Sequence, residues 1–389
     1  MGKNIKMSLK ILQVIPKLGY GGAETGCYDL AHFLYEKNCK SFIATSGGPL
    51  LKFIKKEKVK ILRVPVHSKN PLIILFNTLY LFFIILFYNI NIVHARSRAP
   101  AWSCLFACFL TRRKFITTFH GTYNFNSKLK LFYNSIMVRS NLTIAGSNFI
   151  FNHIKENYGD HLNFKKKLMV IFRGINLEYF NKQNISNNQL EKIAFEWKID
   201  MSKKIILLPG RLTSWKGQDL FIEALNIIRE DYNQNNFQAI ILGSNQGRNI
   251  YSKKLFGLMQ RYQLNNHIKF ISHCKEMPAA YSLADIIISS SIRPEAFGRV
   301  AVEAQAMEKP ILASDIGGSK ETVINGKSGI LFKSGDPREL AKEINNLMEL
   351  DKEALYYMGN EGRKNVTKKF NVENMCQATF NEYKKILNI

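Results

Sequence analysis

Acidic side chains are scarce in this sequence: 30 Asp and Glu face 55 Lys and Arg over 389 residues, a formal charge of +25 at pH 7. Glycine and proline, at 24 and 10 without any period, are too few for a collagen-like or mucin-like chain, and a hydrophobic content of 46% excludes intrinsic disorder. Cysteine is sparse too. Cys27, Cys39, Cys104, Cys108, Cys274 and Cys376 include no Cys-x2-Cys pair and no His at zinc spacing; Cys104 and Cys108, one helical turn apart in an apolar run, are expected to be core thiols, and a reducing cytoplasm fits. The stretch Met1 to Lys10 carries charge but no apolar run, which gives no sign of a secretory signal, and the glycosylation sequons at Asn141, Asn184 and Asn365 are then coincidental. No short repeat is present, so the chain is not a solenoid.

The charge is unevenly spread. Residues 1–180 hold 26 Lys and Arg against 7 Asp and Glu, whereas residues 181–389 hold 29 against 23. An AT-rich gene favours Lys, Asn and Ile and accounts for runs such as Lys165-Lys166-Lys167, yet codon bias alone does not spare one half of a chain. A surplus of this size points to a polyanionic partner: nucleic acid, an anionic membrane surface or a phosphorylated substrate. Nucleic acid is the weakest of these, because neither basic patches interleaved with aromatics nor a helix-turn-helix pattern is visible.

Charge is missing altogether from the 23 residues Pro71–Val93. About 20 apolar residues span a bilayer, but Asn77, Thr78, Tyr80, Tyr88, Asn89 and Asn91 interrupt this run, and its end reads as a strand. The helical part is Leu72–Tyr88, apolar nearly all round. Three readings stay open: a helix whose outer face lies on a membrane, a buried helix, and a true span.

Short β-branched runs alternate with helical stretches along the chain. Strands are expected near Leu9–Ile15, Lys40–Thr45, Val59–Val64, Asn91–Ala95, Lys114–Phe119, Asn141–Ala145 and Lys167–Phe172, and again near Lys204–Pro209, Phe237–Gly243, His267–Ser272, Asp285–Ser289, Pro310–Ser314 and Gly329–Phe332. Such alternation, occurring twice, means two α/β/α domains with parallel sheets. The polar stretch Asn181–Asn188 reads as the linker, giving domains at 1–180 and 181–369, with 370–389 as a C-terminal helix. Ligands bind outside the carboxyl ends of parallel strands, so two such domains facing each other make a cleft and the residues just after strands are the candidates.

After the first strand, Gly19, Gly21 and Gly22 lead into a helix, either as a loop that lets backbone approach a phosphate or sugar, or as a tight turn. It is not a dinucleotide fingerprint, since Glu24 stands where the third glycine belongs. After the strand Lys204–Pro209, the loop Gly210–Gly217 places Arg211 and Lys216 together, as a diphosphate clamp or as a solvated basic turn. After Ser289, Pro294 and Gly298 frame a loop before a helix over Val300–Met307. Glu295 precedes that helix, Glu303 lies inside it, and the backbone of Ala296, Phe297, Gly298, Arg299 and Val300 separates them. One carboxylate for sugar hydroxyls, a helix start for phosphate and a second carboxylate for ribose would suit a nucleotide sugar. His120 closes the strand Lys114–Phe119, as a site residue or a satisfied structural one; His94 reads more readily as structural.

These motifs resemble the family 4 glycosyltransferases, from Gly19-x-Gly-Gly-Ala-Glu24 to Gly317-Gly-Ser-Lys-Glu-Thr322. The stretches His94–Ser103, Thr118-Phe-His-Gly121, Met277–Tyr281 and Pro294–Met307 look like an alphaproteobacterial branch associated with lipopolysaccharide core assembly. The resemblance implies the GT-B fold of two facing Rossmann-like domains. It implies Arg211 and Lys216 on the donor diphosphate, Glu303 on ribose, Glu295 on donor-sugar hydroxyls, His120 opposite the sugar, and Gly21 and Gly22 closing on phosphate and acceptor. It implies retaining hexosyl transfer without a divalent metal, and no Asp-x-Asp triplet is present to hold one. No cofactor is expected beyond the donor substrate, UDP- or GDP-linked. The expected acceptor is a lipid-linked, lipopolysaccharide-core saccharide, met by a peripheral enzyme on the cytoplasmic face of the inner membrane. In similar proteins the helix corresponding to Leu72–Tyr88 carries basic residues; here it has none. A nucleotide-sugar epimerase or phosphorylase on the same fold is the alternative reaction.

Overall fold

The computed structural model describes residues 8–161 and 167–389. Met1 to Met7 and most of the run at Lys165 and Lys166 therefore lie outside the described residues.

The chain divides into two compact domains, one formed by Met1–Gly174 with Val372–Ile389 and the other by Ile175–Asn371. In the first, the elements are β1 (Lys10–Val14), α1 (Gly22–Glu36), β2 (Lys40–Thr45), β3 (Val59–Arg63), α2 (Pro71–Phe87), β4 (Ile92–Ala95), α3 (Arg98–Thr111), β5 (Lys114–Phe119), α4 (Lys128–Ser135), β6 (Leu142–Ala145), α5 (Asn148–Tyr158) and β7 (Lys167–Val170). The second runs α6 (Asn187–Trp197), β8 (Lys204–Pro209), α7 (Gln218–Asp231), β9 (Phe237–Leu242), α8 (Asn249–Arg261), β10 (Ile268–Ile271), α9 (Met277–Leu283), β11 (Ile286–Ser289), α10 (Arg299–Ala306), β12 (Ile311–Ser314), α11 (Ser319–Thr322), β13 (Ile330–Phe332), α12 (Pro337–Glu349) and α13 (Lys352–Lys369). Last comes α14 (Val372–Leu387), which belongs to the first domain.

Both sheets are wholly parallel among the described residues, with strand orders β3-β2-β1-β4-β5-β6-β7 and β10-β9-β8-β11-β12-β13. Helices cover both faces of such sheets, so inner strands such as Ile92–Ala95 and Phe237–Leu242 are buried at every position and read as mainly apolar runs, broken only by His94 and Gln238. The strand order reverses between β1 and β4 in one domain and between β8 and β11 in the other. Those two points are where an open parallel sheet offers a ligand crevice at its carboxyl edge.

The division falls at Gly174, ahead of the polar stretch Asn181–Asn188, and again after Asn371. Ile175 and Asn371 form a parallel β-bridge, so the stretch from Ile175 onward is already stitched into the second domain before the polar residues begin. Arg363 holds it there, donating to the carbonyls of Leu177, Phe180 and Ala306.

α14 packs on α1 and buries Cys376 and Tyr383 with Ile11, Leu30 and Leu34. Its Tyr383 hydroxyl lies 2.6 Å from Nδ1 of His94 on β4, and Thr118 Oγ1 lies 2.7 Å from Nε2, so His94 is a satisfied core residue. All six cysteines are free, with Cys104 and Cys108 buried on α3.

On α2, the polar residues are on the inside. Asn77 and Thr78 are buried with Leu81, Ile84 and Ile85; Asn77 donates to the Pro65 carbonyl at 3.1 Å and Thr78 to that of Ile74 at 2.9 Å. Phe76, Phe83 and Phe87 are 56%, 64% and 81% exposed, and Leu72, Leu75 and Leu79 share their face. α3, which packs against α2, exposes Phe106, Phe109 and Leu110, while α4 exposes Leu129 and Phe132 beside Lys128 and Lys130. Among the described residues, no helix is long and apolar enough to cross a membrane.

Candidate active site

In the second domain, the loops after β8 and β11 meet at the strand-order reversal. Gly217, at φ +68°, starts α7, and a Cβ there would collide with the Ser290 carbonyl oxygen. Ser290 Oγ donates to the carbonyls of Lys216 and Gly217 at 3.1 and 2.9 Å, and the Ile292 amide donates to the Trp215 carbonyl at 2.9 Å. The two loops are thus locked together by backbone contacts that only glycine permits.

That lock brings Lys216 onto Glu295, Nζ to Oε1 at 2.7 Å, with both side chains only 12% exposed. Ser291 Oγ donates to the same carboxylate oxygen at 2.5 Å. Burial pushes the Glu295 carboxyl up, but the Lys216 charge, the hydrogen bonds from Lys216 and Ser291, and the Arg211 charge outweigh it and hold it below the usual range. Arg211 itself is exposed on the loop, and its carbonyl accepts from Gln218 Nε2 at 2.9 Å.

Past Glu295 the backbone is fixed from the other side. The Gly318 amide donates to the Glu295 carbonyl at 2.8 Å, and a Cβ on Gly318 would lie 2.5 Å from Phe297 Cα. Gly298, at φ +79°, starts α10, whose first turn receives no side-chain cap. The amides opening that helix are the kind that bind anions. Phe297 is buried against Phe370, Ala296 and Val300 are partly exposed, and Glu303 sits in the second turn. Glu303 accepts from the Tyr281 hydroxyl at 2.7 Å and from Arg299 Nε at 2.5 Å. The fold therefore gathers Arg211, Lys216, Glu295, Arg299 and Glu303 in one domain. Ser291 and Tyr281 complete the network; the serine triplet ahead of Glu295 marks the first in sequence, and the second ends the Met277–Tyr281 stretch, whose resemblance implied no role for it.

In the first domain, His120 follows β5 and its two ring nitrogens are buried without a hydrogen-bond partner. Burial, with the Arg96 and Arg173 charges behind it, holds the imidazole far below its ordinary pKa and therefore neutral. Gly21 caps α1 without a side-chain bond, and Gly22 opens the helix beside Arg173. Arg96 and Arg173 were not singled out from sequence. Among the described residues, no group of three or more His, Cys, Asp or Glu is placed to hold a metal ion.

Two Rossmann-like domains, each with its candidate residues at the strand-order reversal, define a GT-B glycosyltransferase. Residues 189–365 match the family described as Glycosyl transferases group 1, and residues 20–179 match Glycosyltransferase Family 4. A crystal structure of a glycosyltransferase from Rickettsia africae is 36% identical, with a TM-score of 0.89 over 98% of this chain and 99% of that one. The chain belongs to the group 1, family 4 glycosyltransferases. An uncharacterized glycosyltransferase of Methanocaldococcus jannaschii is 26% identical over 99% of this chain and 98% of its own length. Anabaena HepE, crystallised with UDP-glucose, shares the fold at 22% identity, with a TM-score of 0.80 and coverage of 97% of this chain and 100% of that one. Over several other curated relatives the match spans about half of their length.

Proposed function

We propose that this glycosyltransferase moves a hexose, with retention and without a divalent metal, from a UDP- or GDP-linked donor to a lipid-linked saccharide of the lipopolysaccharide-core type. The carrying observation is the Lys216–Glu295 contact at the strand-order reversal, beside an uncapped helix start. Lys216 keeps two further N–H donors for phosphate while Glu295 fixes its position, and Arg211 on the same loop adds a second cation. Glu295 offers its remaining lone pairs to donor-sugar hydroxyls, and Glu303, already oriented by Tyr281 and Arg299, offers its own to ribose. In the reaction the anomeric carbon–oxygen bond to the diphosphate breaks while the acceptor oxygen bonds to that carbon on the same face. The acceptor's proton goes to the departing diphosphate, whose charge the two cations stabilise. No enzymic base is needed, and Glu295 is not assigned as a nucleophile. Within the first domain, the reading gives the donor sugar to His120, neutral and unpartnered, and phosphate and acceptor to the loop at Gly21 and Gly22.

The lipid side of the reading rests on the apolar face of α2 and its neighbours on α3 and α4, flanked by Arg112, Lys128 and Lys130. Apolar residues edged by cations suit an anionic membrane surface, and the reading places the enzyme on the inner face of the cytoplasmic membrane.

The deciding experiment screens UDP- and GDP-sugars by thermal shift and follows transfer with the stabilising donor. Lys216→Ala and Glu295→Gln should each lower turnover at least 100-fold with the fold retained. Full turnover in both, or an isomerised donor without transfer, would overturn the proposal.

A further inference from the structure

The carboxyl edge of the first sheet forms a narrow, open-mouthed pocket with a cavity volume of about 20 Å³. Arg96, Arg173, His120, Thr118, Gly22 and Gly146 are in its wall, and no Asp or Glu is. Arg96 follows β4, its amide bonded to the Val14 carbonyl at 2.9 Å, so it stands at the strand-order reversal. It is 5% exposed, and among the described residues its guanidinium has neither a hydrogen bond nor an ion pair; Nε is fully buried without a partner.

That arrangement is costly. A guanidinium, unlike an ammonium, does not escape burial by losing its proton. A bound anion would relieve it. The surrounding backbone has been cleared for this pair of arginines: a Cβ on Gly26 would lie 3.0 Å from Arg96 Nη2, one on Gly22 would collide with the Arg173 guanidinium, and one on Gly146 would lie 3.2 Å from Arg173 Cδ. His120, with both ring nitrogens unpartnered, has an N–H to donate. The start of α1, uncapped by any side chain, opens at Gly22 in the same wall. Planar forks, an imidazole N–H and a helix start are donors matched to one small oxyanion.

We propose that Arg96, with Arg173, clamps a carboxylate or phosphate group carried by the acceptor saccharide, making the enzyme selective for acidic acceptors. This rests on the transferase reading for the acceptor, whereas the oxyanion pocket stands on its own geometry.

The test uses the full chain as wild type, Arg96→Met and Arg96→Lys, with inorganic phosphate and pyruvate as probes of the two anion chemistries and UDP as the probe of the donor. One of the two anions should raise the wild-type Tm and bind at least ten-fold more weakly to Arg96→Met; the anion that does so names the chemistry. Arg96→Lys, which keeps the charge but not the fork, should lose at least five-fold. Without anions, Arg96→Met should melt no lower than wild type, since it removes an unpaired buried charge. UDP affinity should stay within two-fold. Equal anion responses in wild type and Arg96→Met would overturn the proposal. So would a ten-fold loss of UDP affinity in Arg96→Met, which would give the pocket to the donor diphosphate. Failure of UDP and GDP to bind any of the three proteins, with the anion response intact, would sink the transferase reading and leave the pocket supported.

Discussion

Lys216 and Glu295, 79 positions apart in sequence, meet at 2.7 Å because Gly217 lets the first loop lie against the Ser290 carbonyl. Removing either partner leaves the other charge largely buried. Lys216→Met and Glu295→Gln should each cost about 3–5 kcal/mol, and the double variant less than the sum. Urea unfolding of the four proteins measures the coupling; strict additivity would show that the pair is not an energetic unit.

The glycine hinge makes its own prediction. Gly217→Ala puts a Cβ against Ser290 and a side chain at φ +68°, which should cost about 1–3 kcal/mol and weaken donor binding through Lys216. A Tm and a UDP affinity both equal to wild type would contradict the role given to this position.

Membrane attachment is tested on the exposed face of α2. Phe76, Phe83 and Phe87 contribute little to the core, so changing all three to Glu should release the protein from vesicles containing anionic lipid while shifting Tm by no more than about 2 °C, as surface substitutions stay within about 0.5 kcal/mol each. Equal sedimentation of both proteins with those vesicles would remove the surface from consideration.

Acid should destabilise the first domain in a defined window. His94 and His120 are held neutral well below the ordinary 6.5, by burial first and then by Arg96. In the unfolded chain both take up a proton near 6.5, while in the folded chain they do not. Their contribution is therefore complete above that pH and declines below it by about 1.4 kcal/mol per pH unit for each histidine. Glu295, whose folded pKa is also depressed, adds a loss only at pH values near and below the usual carboxylate range. Unfolding of wild type and His120→Gln at pH 7.5 and 5.5 should show a smaller drop in the variant; identical drops would mean that His120 titrates normally.

The strands were legible because an all-parallel sheet buried on both faces leaves unbroken β-branched runs: each expected strand lies within two residues of the observed one, and Lys40–Thr45, Lys114–Phe119 and Lys204–Pro209 coincide. The loops after β8 and β11 were legible for a related reason, since ligands of parallel sheets bind just past strand ends and the candidate residues stand there. What could not be read was direction. Seventeen nearly uniform apolar residues carry no marker for the outer face of α2, and Asn77 and Thr78 point inward, where Asn77 satisfies the Pro65 carbonyl and Thr78 bonds back to its own helix at Ile74. Arg96 escaped notice for the opposite reason: an arginine after a strand looks like any surface cation until α1, with glycine at positions 22 and 26, closes over it. The domain boundary was displaced because polarity marks a loop, not the bridge between Ile175 and Asn371.

That bridge also has a temporal side. The chain leaves the first domain at Gly174 and returns only at Val372, so the ribosome delivers the whole second domain before α14 exists. At roughly 5–20 residues per second, the segment from Ile175 to Asn371 takes on the order of 10–40 s to make. Throughout that interval Leu30, Leu34 and Ile11 lack the cover of Cys376 and Tyr383, and His94 lacks its phenol. The domain that is started first is the one finished last, and its apolar seam is the stretch a nascent-chain chaperone would have reason to hold.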